Sequence, residues 1–494
     1  MMTGNTLLRF LYTAVLLPGA LYAQQPLKLN INGNKTYQTI ENFGASDAWA
    51  GQFAGNWPEA KRAQMADWLF SMDTLANGQP KGIGLTMWRF NLGAGSAQQG
   101  SESGIRDEWR RAESFLEKDG SYNWDRQAAQ QWFLKAAKQR GVPYFLAFYN
   151  SPPVEFTKNK KAFSDKGQCN IDSTQFNALA VYTANVLKGI QRKTGVLFDY
   201  ISPVNEPQWD WMDGGQEGNP YWNKDVSGLV KALSATLKKE RISTKIIIPE
   251  SGHIKYLLED GDKPGRGNQV NELLKPGGAH YVGNLVEKVA AAHSYFSTSP
   301  QSASEKLRTQ VAERIASVKG LRFWQSEYCI LGDNEGEISG NRKDTGMKAA
   351  LYVARVIHTD LAVANATAWQ WWLAISAYNY KDGLIYIEKN KTDGHLEDSK
   401  MMWALGNYSR FVRPGMQRIE ASIAGAGQHL FVSAYKSKKN TVVVIVNTGA
   451  HAESIQLGGK HAVTYTTATG EELVKGYADG NAVIKAESIV TLVM

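Results

Sequence analysis

Residues 173–207 read STQFNALAVYTANVLKGIQRKTGVLFDYISPVNEP and contain one unit of the predicted fold. Ser173–Thr194 has the apolar spacing that is typical of an amphipathic helix, and Tyr200–Val204 is a short apolar run of strand character. Helical segments that alternate with short apolar strands are the signature of βα units on a parallel sheet. The same alternation runs from Gly84 to about Ile375, so it decides the fold class.

Seven strand candidates lie in this region, and Thr39–Ala45 can supply an eighth. The seven are Leu85–Leu92, Tyr144–Tyr149, Tyr200–Val204, Ile246–Pro249, Ala291–Phe296, Arg322–Ile330 and Ala366–Leu373. The helical patterns between them are Trp124–Arg140, Ser173–Thr194, Ser227–Glu240, Ser304–Val318 and Thr345–Ala364. Eight such units in about 370 residues predict an α/β fold, the (β/α)8 TIM barrel, with long loops.

After Phe411 the pattern changes to short alternating strands that are separated by glycine-containing turns. The candidates are Leu430–Tyr435, Thr441–Asn447, Ser454–Leu457, Ala462–Thr467 and Val483–Leu492. They predict an antiparallel β-sandwich side domain over residues 412–494. Residues 24–40, in which Leu27–Tyr37 alternates in the same way, are expected to join it, and residues 41–411 form the predicted barrel.

Residues 1–23 have the character of a signal peptide. Arg9 is the only charged residue before an apolar run, Pro18 interrupts that run, and Ala23 precedes the expected cleavage point. The run is too short for a comfortable membrane span. We therefore expect a protein that is secreted, periplasmic or at the cell surface, with no integral membrane span after signal removal.

The composition narrows the classes of ligand. The 494 residues include 55 Lys and Arg against 47 Asp and Glu, a net charge of +8. The lysine clusters at 158–161 and 436–439 are not interleaved with the stacking aromatics that nucleic-acid grooves need, so no nucleic-acid partner is expected. Fifteen Trp and 21 Tyr instead favour an aromatic cleft for a flat, uncharged ligand. We expect the protein to be a monomer.

Metal and cofactor sites are not predicted. The eight His lack metal-ligand spacing, and the Gly-x-Gly pairs at 82–84 and 93–95 lack the strand–turn–helix context of a dinucleotide fingerprint. Cys169 and Cys329 are too few for a disulfide-rich scaffold. Whether these two pair is left open, because their spacing alone decides nothing.

Two carboxylates stand at the ends of predicted barrel strands, where a (β/α)8 barrel builds its active site. Glu206 follows Tyr200–Val204, and Glu327 lies in the Phe323-Trp-Gln-Ser-Glu-Tyr segment. For each alone, the structural alternative is a core ion pair, with Arg89 as a possible partner. Together they fit glycoside hydrolysis, in which one carboxyl group protonates the departing oxygen and the other attacks the anomeric carbon.

The segments Asn205-Glu206-Pro207 and Trp324-Gln-Ser-Glu327-Tyr resemble the fourth- and seventh-strand motifs of glycoside hydrolase family 30, a family of retaining (β/α)8 glycosidases. The similarity runs from about Glu41 to the C-terminus. It implies that Glu206 is the general acid/base and Glu327 the nucleophile.

The resemblance also implies a set of substrate-binding residues. Asp47 would bind hydroxyls of the cleaved sugar, Arg89 would lie near the nucleophile, and Tyr295 would hydrogen-bond it. His293 would accompany Tyr295, although it could instead be a core histidine. The full set is Asp47, Trp49, Arg89, Asn91, Asn150, Asn205, Trp209, Trp211, His293, Tyr295 and Trp371. Trp369 and Trp371 share one face of the eighth strand, and one of them is the candidate for the sugar floor.

The amino-acid sequence around Arg89 and Glu206 most resembles that of the endo-β-1,6-galactanase branch of the family. This implies a secreted retaining endo-glycosidase that cleaves β-1,6-galactan side chains of arabinogalactan, with a polysaccharide or oligosaccharide as its partner. Other specificities of the family, such as β-1,6-glucanase, xylanase or β-glucosidase, are alternatives. A carbohydrate-binding protein without activity on the same barrel is the alternative from another class.

Overall fold

The computed structural model of the protein describes residues 25–494, so the predicted signal peptide lies outside the described residues. A parallel barrel occupies its centre. Its strands are β2 (Asn42–Ser46), β3 (Met87–Leu92), β4 (Tyr144–Tyr149), β5 (Tyr200–Ser202), β6 (Lys245–Ile246), β7 (Ile248–Ser251), β8 (Val289–His293), β9 (Arg322–Glu327) and β10 (Ala368–Ser376), with β1 (Leu27–Thr39) before them.

The order of the strands in the sheet shows that the barrel closes. It runs β6-β5-β4-β3-β2-β10-β9-β8-β7, and the two end segments are separated in the chain only by Ile247. β6 and β7 therefore act as one strand of an eight-membered ring. The strands are almost entirely buried, as expected when helices cover a parallel sheet.

Helices connect the barrel strands and pack outside them. They are α1 (Gly51–Ala54), α2 (Glu59–Phe70), α3 (Ser96–Gln99), α4 (Ala128–Gln139), α5 (Phe176–Thr194), α6 (Asn223–Lys239), α7 (Gln301–Ala316), α8 (Met347–Ala362) and α9 (Lys400–Ser409). α5 is capped by Gly195, whose φ of 72° is the left-handed conformation that lets its N–H donate to Gln191 O. The chain then enters β5, which ends at the barrel's C-terminal rim.

A separate sheet, antiparallel except where β1 meets β16, forms the side domain. Besides β1 it contains β13 (Gln417–Ala424), β14 (Leu430–Lys436), β15 (Thr441–Asn447), β16 (Glu453–Ala468), β17 (Glu471–Ile484) and β18 (Ser488–Val493). β1 pairs with both β13 and β16, so the sheet curls around its own core. These two units confirm the predicted fold class, a (β/α)8 barrel with an antiparallel β side domain.

Several strands differ from the sequence-based expectation. β11 (Gly383–Ile387) and β12 (Leu396–Asp398) extend the barrel sheet beyond β10, and β13 was not predicted. Two expected strands are one long strand, β16, in which Gly458 and Gly459 occupy an irregularity of register rather than a turn. Both cysteines are buried free thiols. No helix within residues 25–494 is long and apolar enough to cross a membrane.

Candidate active site

Two buried glutamates meet at the C-terminal end of the barrel. Glu206 follows β5, Glu327 ends β9, and the two are only 7% and 3% exposed. One carboxylate oxygen of each and one ring nitrogen of His293 all lie within 4.8 Å of one another. The sheet therefore brings together two carboxyl groups that are 121 positions apart in the sequence.

Glu206 is held by contacts from both its backbone and its side chain. Its φ of 43° places it in the left-handed region, and its N–H donates to Glu250 O at 2.8 Å. Its Oε1 lies 2.8 Å from His293 Nδ1, and Trp211 Nε1 donates to its carbonyl at 3.2 Å. Burial raises the pKa of Glu206 above its ordinary value, although the hydrogen bond with His293 opposes this. This carboxyl group is suited to keep a proton.

Glu327 has a different environment. Arg89 Nη1 donates to its Oε2 at 3.0 Å, and Tyr295 OH donates to its Oε1 at 3.1 Å. His293 Nδ1 lies 3.5 Å from that same Oε1. A cation and a hydroxyl donor both stabilise the ionised form of a carboxyl group. The two glutamates thus differ in their partners: Glu206 contacts His293, whereas Glu327 accepts hydrogen bonds from Arg89 and Tyr295.

His293 lies between three carboxyl groups. Its Nε2 is 3.3 Å from Glu250 Oε2, on the side opposite Glu206. Burial alone would lower the pKa of His293, but the charge of Glu327 and the hydrogen bonds with Glu206 and Glu250 raise it to about 10. An imidazolium has no lone pair for a metal ion, so this cluster is better suited to proton transfer than to metal binding.

A cavity of about 710 Å³ opens above these groups. Seven of the predicted residues line it: Trp49, Asn205, Glu206, Trp209, Trp211, Tyr295 and Glu327. Its wall also includes residues that the sequence did not single out, among them Arg110, Phe296, Trp372, Tyr378 and Asp382. Except for Trp372, these lie in the connections beyond the strand ends, Arg110 in a short 3-10 helix, and no periodic pattern marks them as facing a ligand.

The remaining predicted polar residues lie close to this cavity without lining it. Asp47 accepts hydrogen bonds from Asn91 N at 2.8 Å and from Gln130 Nε2 at 3.0 Å, and its Oδ2 has no partner among the described residues. Burial raises the pKa of Asp47 to about 7. Asn205 Nδ2 donates to Asn150 Oδ1 at 3.2 Å. Asp47 is thus bonded to Asn91, and Asn205, the neighbour of Glu206 in the sequence, is bonded to Asn150.

The tryptophan on β10 that faces the cavity is Trp372 and not Trp371. Trp371 is fully buried, packs against Tyr328 and Trp369, and donates its indole N–H to Asp382 O. The expectation of a sugar floor at Trp371 is therefore wrong. Gln370 points into the barrel, where it contacts Asn42, and the two-residue period turns Trp371 outward. Trp372 lies at an irregularity in the pairing of β10 with β2 and lines the cavity.

Glu250 is a functional candidate that sequence reasoning missed. It lies one residue beyond the predicted strand Ile246–Pro249, is fully buried, and bonds His293. Its position at the end of a predicted barrel strand could have identified Glu250, because the same criterion identifies Glu206. The serines that bond its side chain, Ser202 and Ser326, come from the neighbouring strand β5 and from β9.

Comparisons with known proteins identify the family of this chain. A model of O-glycosyl hydrolase family 30 matches residues 26–386. An endo-β-1,6-galactanase from Hypocrea rufa is 24% identical over 455 residues, which cover 88% of this chain and 85% of that protein.

Two solved structures extend the comparison. A conserved exported protein from Bacteroides fragilis is 33% identical, with a TM-score of 0.88 and coverage of 94% of this chain and 100% of that one. The catalytic domain of a GH30 xylanase C from Talaromyces cellulolyticus has a TM-score of 0.67 at 21% identity, and the match covers 94% and 99% of the two chains.

Proposed function

This chain belongs to O-glycosyl hydrolase family 30, and we propose that it is a secreted retaining endo-glycosidase that cleaves β-1,6-linked galactan. The observation that carries the proposal is the pair of buried carboxyl groups, Glu206 and Glu327, with an oxygen of each within 4.8 Å. Retaining enzymes hold their two carboxyl groups about 5–5.5 Å apart, whereas inverting enzymes leave about 6.5–9.5 Å for a water molecule.

In the first step Glu327 attacks the anomeric carbon while Glu206 gives its proton to the departing glycosidic oxygen. Arg89 and Tyr295 hold the attacking carboxylate in place by hydrogen bonds to its two oxygens. The bond from carbon to the glycosidic oxygen breaks as the ester bond to Glu327 forms. The products of this step are a covalent glycosyl-enzyme and a free sugar hydroxyl.

In the second step Glu206, now ionised, takes a proton from water, and the resulting hydroxide displaces Glu327. Since the acid must lie beside the leaving oxygen, the wall next to Glu206 would hold the leaving-group sugars. Trp209, Trp211 and the 53% exposed Phe296 line the cavity. Aromatic faces of this kind stack on the apolar C–H faces of sugars.

The galactan specificity rests on the similarity to the Hypocrea rufa galactanase, which spans most of both chains. Secretion is supported by the signal-peptide character of residues 1–23 and by the likeness to an exported protein. The 710 Å³ cavity offers room for several sugar units, which favours attack within a chain.

The test is a product profile. Purified protein is incubated separately with de-arabinosylated arabinogalactan, β-1,6-glucan and xylan, with Glu327→Gln as the inactive control. The proposal expects a ladder of β-1,6-galacto-oligosaccharides, with retention of anomeric configuration shown by NMR of the first product. A ladder from one of the other polymers would reassign the specificity, and activity in Glu327→Gln would refute the mechanism.

A further inference from the structure

Glu250 is a third carboxylate of the catalytic end, and it lies beneath the other two rather than at the cavity surface. Its side chain is fully buried and it does not line the cavity. Ser202 Oγ donates to its Oε1 at 2.5 Å, and Ser326 Oγ and His293 Nε2 approach its Oε2. A buried carboxylate is costly unless donors satisfy it, and here three donors from three strands do so.

Glu250 reaches Glu206 by two routes. Its carbonyl accepts the Glu206 N–H at 2.8 Å, and its side chain holds the far nitrogen of the ring that bonds Glu206 Oε1. Both residues have positive φ, 52° for Glu250 and 43° for Glu206. Left-handed backbone at a non-glycine residue costs energy and is kept only where surrounding contacts impose it. The contact between the two chain segments is therefore closely constrained.

The electrostatic environment makes Glu250 an anion. Burial by itself would raise its pKa, but the hydrogen bond with His293 and the positive charge of Arg89 lower it below the ordinary value. A negative Glu250 in turn favours the imidazolium form of His293, because each partner stabilises the charge of the other.

We propose that Glu250 is a positioning residue that keeps His293 cationic, so that His293 orients the Glu206 carboxyl and compensates its charge when the catalytic proton leaves. The inference rests on the proposed acid/base function of Glu206. Glu250 itself does not touch the substrate, because the His293 ring and the Glu206 side chain connect it to the cavity that Glu206 lines.

The charges of the five buried groups explain why the third carboxylate is needed. Before reaction, Arg89 and His293 are cations, Glu250 and Glu327 are anions, and Glu206 carries its proton, so the cluster is neutral. In the first step Glu206 becomes an anion as Glu327 becomes a neutral ester, and the cluster is neutral again. Without the charge of Glu250, an unbalanced positive charge would remain in both states, or His293 would lose a proton and with it the charge that compensates Glu206.

The experiment uses Glu250→Gln, which keeps the size of the side chain and removes the charge. Rates are measured with aryl β-glycosides of β-1,6-galactobiose whose phenols range from dinitrophenol to phenol. A good leaving group needs little help from an acid, whereas a poor one depends on it. We expect kcat/KM to fall about 10- to 100-fold for the phenyl glycoside and less than about threefold for the dinitrophenyl glycoside.

A double variant tests whether the effect passes through His293. If Glu250 acts by holding that ring, Glu250→Gln combined with His293→Gln is no slower than His293→Gln alone. The matched control is Glu41→Gln at the opposite end of the barrel, where Glu41 Oε2 bonds Arg322 and Trp324. This variant should leave the leaving-group dependence unchanged.

Three results would overturn the inference: an equal loss for all leaving groups, multiplied losses in the double variant, or the same selective loss in Glu41→Gln. If Glu250→Gln does not fold, Ser326→Ala frees the same oxygen and should show a smaller loss with the same dependence on the leaving group; an unchanged profile would contradict the inference. Wild-type protein that cleaves none of these glycosides and no β-glycan would instead refute the proposed function itself.

Discussion

Arg89 Nη1 lies 3.0 Å from Glu327 Oε2, and the two side chains are 0% and 4% exposed. The guanidinium also lies over the Phe148 ring, 4.6 Å from its centroid, which fixes its plane. A buried ion pair of this kind makes a small net contribution to stability, but the loss of one partner leaves an uncompensated charge.

Replacement of Arg89 should therefore affect both stability and activity. We expect Arg89→Gln to lower the free energy of unfolding by about 3–5 kcal/mol, since Glu327 would remain buried without its cation. Denaturant unfolding followed by fluorescence measures this change. Arg62→Gln, which breaks the partly exposed pair with Glu59, is the control and should cost less than about 1 kcal/mol. Equal losses in the two variants would contradict the assigned burial effect.

The two adjacent tryptophans of β10 should have different roles. Trp372 lines the cavity with its ring 5.4 Å from Trp49, whereas Trp371 packs outside the barrel. We expect Trp372→Ala to reduce kcat/KM on the oligosaccharide about 10-fold through lost stacking on the sugar. Trp371→Ala should instead lower the free energy of unfolding by about 3–5 kcal/mol. If Trp371→Ala lowered kcat/KM and Trp372→Ala lowered only the free energy of unfolding, Trp371 would be the residue that contacts the sugar.

The enzyme should stay active at pH values above the ordinary pKa of a glutamic acid. Burial raises the pKa of Glu206, and the first step needs its proton, so the alkaline limb of kcat/KM should lie above pH 4.5. A pH profile on a substrate with a poor leaving group measures this limb. With a dinitrophenyl substrate the limb should be weaker, because the leaving oxygen then needs no proton. An alkaline limb at or below pH 4.5 would count against Glu206 as the acid.

Glu217 should make the stability of the protein depend on pH. Its carboxyl group accepts hydrogen bonds from Ala94 N and from Ser96, and burial raises its pKa to about 7 from an ordinary 4.5. Between pH 4.5 and 7 the unfolded chain gives up this proton while the folded protein keeps it. The contribution of Glu217 to the free energy of unfolding should thus fall by roughly 3 kcal/mol as the pH rises across this window.

Glu217→Gln tests this by removing the titrating group. The pH dependence of unfolding between pH 4.5 and 7 should become shallower in the variant than in the wild type. Glu59→Gln, at an exposed helix terminus, should leave that slope unchanged. Parallel curves for wild type and Glu217→Gln would contradict the assignment.

The strands of the barrel could be predicted because a parallel sheet covered by helices needs continuous apolar runs. Tyr144–Tyr149 in the barrel agrees with the structure at both ends, and so does Thr441–Asn447 in the side domain. β13 was missed because only some of its residues are buried, and the apolar run that marks a strand is weaker there. Gly458-Gly459 resembled a turn, although β16 continues beyond it.

Only the site residues that lie at the ends of barrel strands could be predicted from the sequence. Glu206 and Glu327 follow from the rule that charges are rare in buried strands. Trp372 could not be distinguished from Trp371, because an apolar run shows no difference between inner and outer faces and the pairing of β10 with β2 is irregular at this point. Arg110, whose guanidinium lies 4.3 Å from the Trp49 ring, ends a three-residue 3-10 helix that is too short to show periodicity, so tertiary packing decides its position.

The pairing of β1 with β13 also determines the order in which the chain can fold. Asn32 meets Glu420 across this pairing, 388 positions later in the sequence. During synthesis β1 cannot pair with β13 until nearly the whole chain has emerged from the ribosome. Contacts between such distant segments carry a high entropic cost before they stabilise anything. Completion of the side sheet is thus a late event, and a chain that stops before residue 412 would leave β1 with an exposed, unpaired edge.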